Sequence, residues 1–215
     1  MPRSSDCNSA PGLREFPPAN FSRESSILSV QNICAELRAA ESGGRVRKRK
    51  AQRFDQRDFR RALGQFATGV TVVSTRAKDG RKIGLTVNSF ASVSLEPPLV
   101  LWSLSRGATD FAEFSAASHF VVNVLAANQH HLSRKFSATD AEKFAGVEYA
   151  EGPAGCPLLH GAMAHFVCRK TREFDGGDHV IVLGEVEEYK WCEGEPLVFH
   201  SGRYHVTTRH PDLPE

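Results

Sequence analysis

This 215-residue chain has no C-x-x-C pair, no long apolar run and no glycine-rich nucleotide signature, and each absence removes a class of protein. Its longest apolar stretches, "FVVNVL" and "VIVLGEV", are far shorter than the roughly 20 residues a membrane helix needs. The opening "MPRSSDCNSAPGLREFPP" has no apolar core of a secretory signal, and Asp6, Glu15 and Glu24 speak against a transit peptide. Five cysteines, an odd number without paired spacing, give no disulfide framework, so a reduced, cytoplasmic setting is expected. No G-x-G-x-x-G follows a strand and no G-x-x-x-x-G-K-[ST] occurs, which argues against a Rossmann domain or a P-loop. Nine histidines are scattered without H-E-x-x-H spacing, so no metal is expected. No G-x-S-x-G elbow points to an activated serine.

What is present begins with an uneven charge. The net charge is +2, but residues 1–53 carry ten Lys/Arg against five Asp/Glu, while the rest carry 17 against 20. The excess sits in "RVRKRK", Arg45–Lys50, with no aromatic interleaved, which reads as a solvated linker rather than a nucleic-acid surface. The expected organisation is an extension over 1–53, with an amphipathic helix over 25–41, a main domain over 54–208 and a short tail over 209–215.

Within the main domain, Asp55 offers an N-cap to a helix carrying Phe59, Leu63 and Phe66 at i, i+4 and i+7, closed at Gly69. Strands are expected at 70–75, 82–87, 99–104, 119–125, 164–174, 179–191 and 196–202. "KDGRK" and "FDGGD" supply hairpin turns, the second joining the two longest runs into a central hairpin. Short helices fit at 109–117, 129–136 and 139–146. This is a mainly β chain, expected as an antiparallel barrel with small peripheral helices.

One stretch resists the pattern. "GLTVNSFASVS", Gly84–Ser94, threads Thr86, Asn88, Ser89, Ser92 and Ser94 through an apolar context, and buried polar groups need partners. It reads as a turn after strand 82–87, ended by Pro97-Pro98. Either the turn satisfies itself or a polar ligand does. "WSLSRGATDF" is equally open: ordinary capping by Ser105 or Thr109, or an anion cradle with Arg106 at a helix start.

The ordered string "FRRALGQFATGVTVVST…GLTVNSFASVSLEPPLVLWSL…ATDFAEFSAASHFVVNVLAANQHHLSRKFS", continued by "GCPLLHGAMAHFVCRKTREFDGGDHVIVLGEVEEY" and "PLVFHSGRYH", resembles the flavin reductase-like family over about 54–205. The resemblance implies a split antiparallel β-barrel of the FMN-binding, Greek-key type, assembled as a homodimer. It implies reduction of FMN or FAD by NADH or NADPH through hydride transfer from nicotinamide C4 to flavin N5. The reduced flavin would go to a partner flavin-dependent monooxygenase. Carried over by position, Thr86, Val87, Asn88 and Ser89 would meet the isoalloxazine and ribityl chain, and the stretch's hydroxyls would be satisfied by flavin. Ser92, Ser103, Ser105, Arg106 and Thr109 would serve the phosphate. Arg134, Lys135 and Phe136 resemble a second flavin-contacting loop. His179 resembles the nicotinamide-positioning residue, with Arg203 and Tyr204 closing that side. A non-catalytic flavin carrier on the same barrel is the alternative, and a docking role for residues 24–50 is a third reading.

Overall fold

The computed structural model describes residues 55–139 and 142–212; the expected helix over 25–41 and the basic run lie outside them. The first element, α1 (Gln56–Leu63), starts as the sequence suggests, because the Asp55 carboxylate accepts from the Arg57 and Asp58 amides at 2.7 and 3.1 Å. It ends sooner than expected, with Gly64 as its C-cap. It also buries none of its residues: Phe59 and Leu63, like Phe66 just beyond it, are all at least half exposed, so the apolar stripe lies on the surface.

Twelve strands follow: β1 (Thr68–Gly69), β2 (Thr71–Arg76), β3 (Lys82–Val87), β4 (Ala91–Leu95), β5 (Pro98–Ser105), β6 (His119–Val124), β7 (Tyr149–Glu151), β8 (Pro157–Leu159), β9 (Ala164–Gly176), β10 (His179–Trp191), β11 (Val198–His200) and β12 (Arg203–His205). Helices α2 (Phe111–Ala116) and α3 (His130–Ser137) bracket β6. Among the described residues, the segment expected as a helix at 139–146 forms a turn over 143–146.

Seven strands make the main sheet, in the order β3-β2-β6-β9-β10-β5-β4, every pair antiparallel. The β9–β10 hairpin lies within its centre, as its length suggests. The strand β4 corrects the sequence reading: Ala91–Leu95 was expected as turn, yet it pairs with β5 across a bulge at Val93, and Pro98 sits inside the pairing. Prolines are tolerated there because β5 begins at Pro98 and its partner is an edge strand.

The two outermost strands, β3 and β4, are separated only by Asn88, Ser89 and Phe90. Seven strands laid flat would put their edges roughly 29 Å apart at ~4.8 Å per step, whereas this link can reach at most about 14 Å. The sheet therefore curls until its edges approach at residues 88–90. No hydrogen-bonded ladder joins β3 to β4, so the sheet is curled without being a closed barrel.

Inside the curl lie Val73, Ile83, Val100, Trp102, Leu104, Phe120, Val122, Cys168, Val180 and Val182, with Phe114 of α2. Trp102, 1% exposed, meets Phe114 and Phe120 edge-on at 5.3 and 5.8 Å. A second cluster, Val70, Val72, Leu125, Leu132, Phe136, Leu159 and Leu197, packs α3 onto the other face of β2. Packing on both faces explains why Thr71–Thr75 of β2 are all buried instead of alternating, Thr71, Ser74 and Thr75 included. One polar network runs through this layer. The Asn123 amide donates to the Val72 carbonyl and to the Ser74 hydroxyl, both at 2.9 Å, and its carbonyl accepts from the Leu159 amide at 2.8 Å. The Ser74 hydroxyl in turn donates to the Pro157 carbonyl at 2.6 Å, which ties β8 to the sheet.

Candidate functional site

Where the sheet edges approach, backbone and side-chain donors are left without ladder partners, and this is where the hydroxyl-rich stretch falls. Two hollows flank the end of β3. One, of about 360 Å³, is lined by Leu85, Thr86, Val87, Asn88, Ser89, Ser103, Ser105, Gly107, Ala108 and His179. The other, of about 270 Å³, is lined by Val70, Thr86, Val87, Asn88, Ser133, Ser137, Phe199 and Tyr204. Thr86, Val87 and Asn88 form the shared wall.

Most of the hydroxyls have partners within the protein. The Thr86 hydroxyl donates to the Ser133 carbonyl at 2.8 Å, and the Ser133 hydroxyl meets the Tyr204 hydroxyl at 2.9 Å. The Ser89 hydroxyl accepts from the Ser103 amide at 2.9 Å, stitching the link between the sheet edges to β5. Ser94 accepts from the Glu96 amide at 3.2 Å. The expectation that a flavin satisfies these hydroxyls thus fails for Thr86, Ser89 and Ser94, since backbone groups were near enough to do so. Asn88 and Ser92 are different: both are exposed, and neither side chain has a hydrogen-bond partner among the described residues.

On the far wall, His179 pairs in register with Ser105 and bonds through Nδ1 to the Asp178 carboxylate at 2.8 Å. That hydrogen bond, then the charge of His179, holds the Asp178 carboxyl below its ordinary range. An ionised carboxylate only accepts, so the Nδ1 position carries the proton and Nε2 is left for the hollow. Ser105 accepts from the Gly107 amide at 3.3 Å and turns the chain toward α2, whose N-cap is Asp110 without a side-chain bond. The expected cap at Thr109 is therefore absent.

Several expected contacts lie elsewhere. Arg106 donates to the Asp175 carboxylate at 2.8 Å and to the Gly177 carbonyl at 3.0 Å, clamping the β9–β10 turn instead of lining a hollow. This pairing is also the main reason the Asp175 carboxyl is depressed. Phe136 is 0% exposed and packs on β3, where a Cβ on Gly84 would come within 2.5 Å of its ring. It is a core residue on the inner side of α3, and a direct flavin contact from it gives way to that role. Lys135 donates to the Ala145 carbonyl, while Arg134 lies over the Tyr204 ring at 5.9 Å. Ser92, Thr109 and Arg203 line neither hollow.

Ser133 and Asp178 were missed from sequence. Ser133 shares the inner face of α3 with Leu132 and Phe136, a spacing that marks it as buried polar. Asp178 stands next to His179, but nothing in a turn sequence says which way its carboxylate swings. Among the described residues no three of His, Cys, Asp or Glu gather as metal ligands would.

Comparison with known proteins gives a consistent picture. The family model described as flavin reductase like domain matches residues 63–208. The chain is 44% identical over 150 residues to the FMN reductase (NADH) SmoA of Agrobacterium fabrum, covering 70% of this chain and 85% of that protein. It is 41% identical over 155 residues to HsaB, the reductase subunit of a flavin-dependent monooxygenase from Rhodococcus jostii, covering 72% and 79%. Among solved structures, the NADH:FAD oxidoreductase SgcE6 of Streptomyces globisporus, in complex with NAD and FAD fragments, superposes with a TM-score of 0.69. That match has 38% identity and covers 74% of this chain and 96% of the other.

Proposed function

Because the chain belongs to the flavin reductase-like domain family, we propose that it reduces FMN or FAD at the expense of NADH and passes the dihydroflavin to a partner monooxygenase. The observation that carries the site assignment is the free amide of Asn88 on the wall shared by the two hollows. An amide offers donors and an acceptor together, matching the alternating groups on a flavin's pyrimidine edge. Leu85, Val87 and Ala108 supply apolar surface for a flat ring beside it. The donor set thus fits the group.

The flavin, when bound, accepts a hydride from the reduced nicotinamide; that chemistry is the cofactors' own. The protein's work is placement. Ser89, tied to Ser103, fixes the link carrying Asn88, and Thr86, tied through Ser133 to Tyr204, fixes the strand before it. His179, held by Asp178 through Nδ1, would offer Nε2 to the nicotinamide carboxamide. Near-attack placement of two rings is worth far more than any single bond. NADPH remains a second donor in this reading.

In the same reading the curled sheet is a split barrel and the assembly a homodimer in the cytoplasm. Exposed Val93, Leu95, Tyr189 and Trp191 favour a second copy, since the unpaired outer edge of β4 is a surface proteins usually cover. No helix among the described residues is long and apolar enough to cross a membrane. The test is NADH oxidation at 340 nm by purified protein, with and without added FMN or FAD. Turnover that requires added flavin supports the reading, whereas a yellow protein inert toward NADH and NADPH would make it a flavin carrier.

A further inference from the structure

The charged face of α1 is not used by anything described so far. Arg57, Arg60, Arg61 and Gly64 stand at i, i+3, i+4 and i+7, so they share one side of the helix. They line a hollow of about 510 Å³, closed opposite by Ser201 and Gly202 at the β11–β12 turn. A helix face of this kind is ordinarily solvated, but here it is one wall of a built cleft. The Ser201 amide donates to the Gly64 carbonyl at 2.8 Å, and the Gln65 amide group donates to the Ser201 hydroxyl at 3.2 Å. Ser201 holds a left-handed φ of 48° to make that turn, a conformation unusual outside glycine. None of the three guanidinium groups forms a salt bridge among the described residues, and no acidic residue lines the cleft, so its lining is positive.

The cleft also adjoins the candidate site on two sides. The turn that closes it leads within two residues to Tyr204, which lines the hollow beside Asn88. Across from the helix, Arg60 is close enough to Asp178 to help depress its carboxyl electrostatically, and Asp178 is the residue that orients His179. The positive charge therefore borders the His179 side of the site. Ser103 and Ser105, assigned by position to the flavin phosphate, line the hollow with His179, whereas neither they nor Arg106 line the cleft beside α1.

We propose that Arg57, Arg60 and Arg61 bind the diphosphate of the nicotinamide dinucleotide, holding the adenosine half in the cleft while the nicotinamide reaches His179. This rests on the flavin reductase reading above. Guanidinium groups match phosphate oxygens in geometry as well as charge, and each such contact is worth more than a neutral hydrogen bond.

The test is steady-state kinetics on the full chain carrying Arg57→Gln, Arg60→Gln and Arg61→Gln together, read at 340 nm with FMN and, separately, with riboflavin as acceptor. The expected result is a KM for NADH raised about 10- to 100-fold with kcat at saturation little changed, the effect of losing charge-assisted contacts. Oxidation of 1-benzyl-1,4-dihydronicotinamide, which has no phosphate, should keep its kcat/KM. The triple lysine variant, which keeps the charge but loses the fork geometry, should recover only part of the NADH affinity, and its KM should rise with salt as the wild type's does. If instead the KM for FMN rises and that for riboflavin does not, the arginines serve the flavin phosphate and the assignment is overturned. An unchanged NADH KM in an active, folded variant also overturns it, leaving the flavin reductase reading intact. A wild type that oxidises no NADH with either flavin removes both.

Discussion

Asn123 and Asn88 both interrupt apolar runs, yet the fold treats them in opposite ways. Asn123 is 0% exposed, and its amide and carbonyl reach Val72, Ser74 and Leu159. Asn88 stands exposed at the link between the sheet edges, with no partner among the described residues. A buried amide must be paired by the protein itself, so Asn123 is part of the core's internal bonding. An amide left unpaired beside a hollow is available to a ligand. The residue type says nothing of this; position in the sheet decides it.

That contrast can be broken most forcefully at Asn123. Asn123→Ala leaves the Leu159 amide and the Ser74 hydroxyl short of partners, and should cost about 3 kcal/mol. In thermal unfolding this is a fall of roughly 6–12 °C for a domain of this size. A smaller fall would mean that the network relaxes around the gap. Next comes Gly84→Ala, which drives a Cβ into the Phe136 ring and should cost about 1–3 kcal/mol. Because Gly84 lies on β3 just before Thr86, this variant should move both the melting temperature and the flavin KM, and so couple the two regions that Asn123 and Asn88 keep apart.

His179→Ala acts on the site alone. It should lower kcat/KM for NADH about tenfold, equivalent to one lost polar contact, at an unchanged melting temperature. Unaltered kinetics would remove His179 from the reaction. Asn88→Ala should raise the apparent flavin KM several-fold while stability stays within about 0.5 kcal/mol, the usual range for a surface change. A large loss of stability there would erase the contrast with Asn123.

The smallest effect is expected from His165. Partial burial holds its imidazole below the ordinary value, although the Leu159 carbonyl, 2.8 Å from Nε2, works the other way. The fold therefore prefers the neutral ring. As pH falls below about 6.5 the unfolded chain takes up a proton before the folded one does, and stability declines. His165→Gln should flatten the pH dependence of the melting temperature across that window.

Much of the fold was legible in advance, because strands with β-branched runs and Asp-Gly turns announce themselves. β3 and β10 appear at 82–87 and 179–191, as read. β4 was not legible: "ASVSL" is short, half polar and bulged, and only its pairing with β5 makes it a strand. The spacing of Phe59, Leu63 and Phe66 reports a shared face but not what that face meets, and here it meets solvent. At the site, the stretch around Asn88 stood out because polar residues in an apolar context are expensive. Phe136 was assigned a ligand by position in a motif, whereas its exposure depends on how α3 lies on β3, which no local pattern contains.

The placement of the two tryptophans gives the molecule a pair of optical reporters. Trp102 is 1% exposed and stands next to Ser103 on the site's wall, while Trp191 is 66% exposed at the far end of β10. Selective excitation should yield a blue component from the first and a red one from the second. Flavin absorbs where indole emits, so a ring seated beside Ser103 would dim the blue light by energy transfer well before the red, whereas burial of β10's end against another surface would shift the red and spare the blue.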